Sequence, residues 1–144
     1  MKTAQVWLAA ILYLLICSAS VLSQTPAEPR VAIQGYDPVA YFTERRPVMG
    51  SPAIYQDFDG QRYQFANPRH REMFAADPDR YIPQFGANCA VRVGRGKIGP
   101  ANPLYWAIVD DRLYLFARAG GAEFIAKNPG VLAKARKHWA SMKK

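Results

Sequence analysis

Ile54-Tyr55-Gln56-Asp57-Phe58-Asp59-Gly60-Gln61-Arg62-Tyr63-Gln64-Phe65 is the stretch that decides the fold. Aromatic and polar residues alternate on both sides of Asp59-Gly60, as half-buried strands require. Asp-Gly readily takes the left-handed backbone of a two-residue hairpin turn. Strands are therefore expected over residues 54–58 and 62–65. Further along, residues 106–109 and 112–116 flank Asp110-Asp111 in the same manner, although Asp-Asp is a poorer turn than Asp-Gly.

Between and around the hairpins one device recurs: Asp or Asn followed by Pro, at Asp37-Pro38, Asn67-Pro68, Asp77-Pro78, Asn102-Pro103 and Asn128-Pro129. The first side chain accepts from free N–H groups of a helix start, and Pro fits the first helical position without losing a bond. Short helical turns are expected after 37, 77 and 102. A longer helix runs from Asn67 to about Ala76, with Met73 and Phe74 inward. Asn128 opens a C-terminal helix with Leu132, Ala135 and Trp139 on one face. The expected class is α+β: a small single domain of short antiparallel hairpins packed against helices, with a C-terminal helical tail. No internal repeat of fixed period is visible, and the two hairpin-then-helix units are at most a loose echo.

The first thirty residues read as export machinery rather than fold. Lys2 precedes an apolar run over residues 6–16, and Val21-Leu22-Ser23 suits cleavage after Ser23. Residues 1–23 are thus expected as a signal peptide, with an uncleaved membrane anchor as the alternative and a lipoprotein site at Cys17 as a lesser one. Residues 24–31 form a linker and residues 32–144 the folded domain. The expected location is periplasmic or secreted, or membrane-anchored if the leader stays. Removal of Lys2 leaves 18 basic and 11 acidic residues, 18 − 11 = +7. For an exported chain this charge suits an anionic membrane surface better than nucleic acid. Cys89 would then stand alone, which excludes an intramolecular disulfide.

Several stretches carry a resemblance. Gly35-Tyr36-Asp37-Pro38-Val39-Ala40-Tyr41-Phe42 opens the folded part. Tyr63-Gln64-Phe65-Ala66-Asn67, then Asp77-Pro78-Asp79-Arg80-Tyr81-Ile82-Pro83-Gln84-Phe85-Gly86 and Cys89-Ala90 follow, with Trp106-Ala107-Ile108-Val109 and Leu113-Tyr114-Leu115 near the end. In this order they resemble the exported bacterial YHS-domain proteins, over most of residues 32–116 and on into the helical tail. The resemblance implies a small binding module for a metal ion held through cysteines. In its cysteine motif, Ala66 stands where the first cysteine is usual and His70 where the second is, with Phe74 closing the pattern.

The candidate metal ligands are therefore Cys89, His70 and Met73, a thiolate, an imidazole and a thioether, which suit copper first and zinc second. Arg92, Arg95 and Lys97 follow Cys89 closely, and nearby cations favour the thiolate. Each residue also has a plain reading: Cys89 as a small buried hydrophobe, Met73 as core, His70 as a solvated side chain on a basic helix face, His138 as surface. The aromatic residues read most simply as core. No catalytic constellation is visible, Asp37 being explained by capping, and no enzyme is expected. The alternative to a metal module is a small-molecule or protein-interaction module on the same scaffold.

Overall fold

The computed structural model describes residues 27–142, so the leader reading, the Cys17 reading and the first part of the linker lie outside the described residues. It contains β1 (Arg30–Val31), α1 (Ala40–Thr43), β2 (Ser51–Phe58), β3 (Gln61–Phe65), α2 (Pro68–Ala76) and α3 (Pro78–Tyr81). Then come α4 (Ala90–Gly94), β4 (Asn102–Val109), β5 (Arg112–Phe116), α5 (Gly121–Lys127) and α6 (Gly130–Met142). The fold is α+β, with two small sheets and a C-terminal helix. One sheet has the order β1-β3-β2, the other pairs β4 with β5. Both hairpins are antiparallel, and β1 joins β3 in parallel.

Local chemistry explains most elements. Asp59 and Gly60 have φ of 49° and 72°, and Asp110 and Asp111 have 51° and 56°. Both turns thus take the left-handed pair that lets a two-residue loop follow the strand twist, and Asp tolerates it where glycine is absent. Asn67 Oδ1 accepts the His70 N–H at 2.9 Å and Pro68 sits at the first helical position, so α2 starts where expected. Asn102-Pro103 departs from expectation. It opens strand β4, with Asn102 paired to Phe116 and its Oδ1 taking the Leu104 N–H at 2.9 Å. Pro is tolerated at the start of an edge strand, and here sheet pairing overrides the capping signal.

The chain is the same unit built twice, which the sequence showed only as a faint echo. Residues 32–81 and 84–142 run through the same order: a left-handed 3₁₀ turn (Ala32–Gly35; Gln84–Ala87), a short helix, a hairpin and two helices. The offset is 52 in the first part: Tyr36 N–H donates to Ile33 O at 3.1 Å, and Asn88 N–H to Phe85 O at 3.0 Å. Asp37 N–H donates to Val48 O at 2.8 Å, and Cys89 N–H to Gly99 O at 2.9 Å. Past that loop, one residue shorter in the second unit, the offset is 51. The isolated bridges Tyr36–Met49 and Asn88–Pro100 match across it. The strands pair in corresponding register, Ser51 with Phe65 and Asn102 with Phe116, each followed by an irregularity before pairing resumes four residues on, at Tyr55 and Trp106. At this offset Asp59, Tyr63, Phe65, Ala66, Glu72, Ala75 and Pro78 meet Asp110, Tyr114, Phe116, Ala117, Glu123, Ala126 and Pro129.

One apolar cluster draws on both units, which makes them a single domain rather than two. Within the first, Phe74 is ringed by Tyr63 at 4.9 Å, Phe65 at 5.2 Å and Phe58 at 6.0 Å between centroids. Across the units, the ring of Tyr41 stacks edge-on to Trp106 at 5.3 Å, and its hydroxyl donates to Pro103 O at 2.9 Å. Phe85 joins Tyr114 to Trp139 on α6, at 5.8 and 5.9 Å. Tyr55, by contrast with the other aromatics expected in the core, is exposed.

Candidate functional site

Asp37 is wholly buried, and its two carboxylate oxygens divide between local and long-range partners. Its Oδ1 accepts the Val39 N–H at 2.8 Å and the Ala40 N–H at 3.3 Å, which starts α1 as the Asp-Pro signal implies. Its Oδ2 accepts the Ala66 N–H at 2.8 Å from the chain leaving β3, and lies 2.6 Å from His70 Nδ1 on α2. A carboxylate holding donors from three elements fixes the angle between the hairpin and the helices on either side of it. Burial, and after it the neighbouring Tyr36 and Asp37, push the Tyr41 hydroxyl well above the usual tyrosine range.

His70 is therefore not the solvated side chain expected on a basic helix face. It is 6% exposed, because one turn into α2 it points back at Asp37 while Arg69 and Arg71 point to solvent. Its Nε2 lies 3.2 Å from Thr43 Oγ1, which is also 3.2 Å from Val39 O. The hydroxyl has one proton. Given to Val39 O, it leaves Nε2 to donate; turned to the ring, it leaves Nε2 as acceptor. Thr43, His70 and Met73 line one cavity of about 470 Å³ together with Asn67, Pro68 and Arg69. The Asp37–His70–Thr43 chain is what the sequence reading missed. Asp37 had a sufficient local explanation as a cap, and no spacing rule joins residues 33 apart.

Cys89 lies elsewhere. It is 4% exposed and a free thiol, as expected for a small buried hydrophobe, and lines a second cavity of about 420 Å³. Arg92, Arg95 and Arg118 line that cavity with it, whereas Lys97 does not. No residue is common to the two cavities, so the structure groups His70 with Met73 and puts Cys89 in the other one. His138, expected at the surface, is half-buried with Nδ1 3.0 Å from Val93 O. Among the described residues no three His, Cys, Asp or Glu side chains form a group that could hold a metal ion.

For a metal the first cavity supplies an imidazole and a thioether, with a carboxylate on the far ring nitrogen of the histidine. That backing is the usual support of a metal-bound histidine. The pair fits a soft ion held by few protein ligands and does not fit a closed four-ligand zinc site. No family model, no curated protein and no solved structure matches the chain.

Proposed function

We propose that this chain is an exported binding module of the YHS type, which takes a soft or borderline metal ion, copper before zinc, for sensing or transfer. The ligands are His70 Nε2 and Met73, and Cys89 is not among them. One observation carries this reading: Asp37 engages Nδ1 of a buried histidine that lines a cavity together with a methionine. With two protein donors the ion stays exchangeable, which suits transfer and not structural support.

The test is titration of residues 24–144 with Cu(I) under reducing conditions. Met73→Leu, which conserves volume, is expected to weaken binding, and Cys89→Ser to leave it unchanged. Equal affinity in the wild type, Met73→Leu and His70→Gln would remove the site. A second reading has its own support, since both ring nitrogens of His70 already have partners. In it, the ring is a structural tie and the module binds a small molecule or a partner protein.

A further inference from the structure

The two cavities occupy the same place in the two units. Asn67, Pro68, Arg69, His70 and Met73 correspond to Arg118, Ala119, Gly120, Gly121 and Phe124, all of which line the second cavity, and Arg95 at the end of α4 lines it as Thr43 at the end of α1 lines the first. Asp37 corresponds to Cys89. The unit fold therefore makes this cavity twice, and only its lining differs.

The difference has a definite electrostatic sense. In the first unit an anion is built in, the Asp37 carboxylate, and it takes the Ala66 N–H and the His70 ring. In the second, Cys89 makes no side-chain cap bond, Gly121 carries no imidazole and lies against Phe116, whose ring a Cβ there would meet at 2.4 Å, and Ala117, the counterpart of Ala66, donates its N–H to no acceptor among the described residues. Three arginines and no carboxylate line this cavity. None of Arg92, Arg95 and Arg118 has an ion-pair partner among the described residues. Glu123, next to Phe124 in the chain, is held by Lys127 at 2.6 Å. Arg95 is placed over the Phe124 ring at 5.7 Å, and Arg92 lies on Gly99, where a Cβ would overlap its guanidinium. Three like charges around one cavity repel each other, and an anion among them relieves that repulsion. The floor is apolar, with Phe116 fully buried.

We infer that the second cavity is an anion site that takes a phosphate monoester with an apolar substituent: the phosphate lies among Arg92, Arg95 and Arg118 in place of the missing Asp37 carboxylate, and the apolar part lies against Phe116 and Phe124. Arginine matches phosphate oxygens two at a time, which makes it the side chain for this task. The same headgroup chemistry is offered by a free metabolite and by an anionic lipid, and the experiment separates them.

Mature chain is titrated with phenyl phosphate by calorimetry, and with vesicles of phosphatidylcholine with and without phosphatidic acid. Saturable binding of phenyl phosphate is expected, weakened about ten- to hundredfold by Arg95→Gln or Arg118→Gln, since a hydrogen bond to a charged group is worth about 1.5–3 kcal/mol. Cys89→Asp, which restores the carboxylate of the first unit, is expected to abolish it. Lys134→Gln and Lys137→Gln, outside the cavity, are expected to change nothing. Vesicle binding lost in the arginine variants identifies a lipid headgroup as the source of the phosphate. Binding lowered equally by the lysine and arginine variants, or unchanged by Arg118→Gln in a variant that melts normally, overturns the site.

Discussion

Cys89 stands where Asp37 stands: each gives its backbone N–H across a matching loop, to Gly99 O at 2.9 Å and to Val48 O at 2.8 Å, but Cys89 lines the second cavity while Asp37 lies behind the His70 that lines the first. What the two side chains do there is opposite. Asp37 gathers backbone and imidazole donors from three elements, whereas Cys89 gathers none.

That contrast sets the stability of the two units apart. Asp37→Ala strips the carboxylate from buried donors and is expected to cost about 3–5 kcal/mol, the range for breaking a buried pair. Cys89→Ala loses a sulfur and no hydrogen bond, and is expected to cost about 1 kcal/mol, the centre of ordinary point changes. Urea unfolding of both measures the difference. Equal costs would show that Asp37 holds nothing together.

Charge at the second cavity is readable through its own thiol. Iodoacetate, an anion, is expected to alkylate native Cys89 faster relative to neutral iodoacetamide than it does in the unfolded chain, by about tenfold at low salt. The ratio should fall with added salt and in Arg95→Gln, because screening and charge removal act on the anion alone. A ratio equal to that of the unfolded chain would mean that the arginines set up no useful field at Cys89.

Alkaline stability tests a buried tyrosine. Burial first, and the Asp59 charge after it, push the Tyr63 hydroxyl up to about 12. A tyrosine titrates near 10 when unfolded, so its folded value is raised and the neutral form is favoured in the fold. The contribution is complete below about pH 10 and is lost as pH rises from there through about 12. Tyr63→Phe, which cannot ionise, is expected to flatten that part of the stability–pH curve while leaving neutral-pH stability within about 1 kcal/mol. An unchanged alkaline slope would count against burial as the cause.

Packing of the C-terminal helix rests on a missing methyl. A Cβ at Gly94 would sit 2.8 Å from Val131 Cγ1 and 3.0 Å from Val131 O, where α4 lies on the start of α6. Gly94→Ala is therefore expected to destabilise by about 1–3 kcal/mol, the usual cost of overpacking, despite the better helix propensity of alanine. Val131→Ala in the same chain should recover part of that loss, because it withdraws one of the two contacts. Absence of any recovery would place the strain at the Val131 carbonyl.

The sequence by itself determined whatever depends on neighbours along the chain. Both hairpins follow from alternation around Asp59-Gly60 and Asp110-Asp111, α2 from Asn67-Pro68, and the buried face of α6 from the spacing of Leu132 and Ala135. Local rules failed where a long-range partner outweighed them: Asn102 pairs with Phe116 instead of starting a turn, and His70 is drawn inward by a carboxylate 33 residues away. Only the tertiary structure decided that the unit is repeated, since the offset changes from 52 to 51 at one loop and the residues bearing the chemistry are those that differ. The same placement separates Cys89 from His70 and Met73, and collects Arg92, Arg95 and Arg118 around one cavity. Backbone hydrogen bonds preserve the frame whatever side chains fill it, so two copies of one fold present a histidine backed by a buried carboxylate at one cavity and a thiol with three arginines at the other.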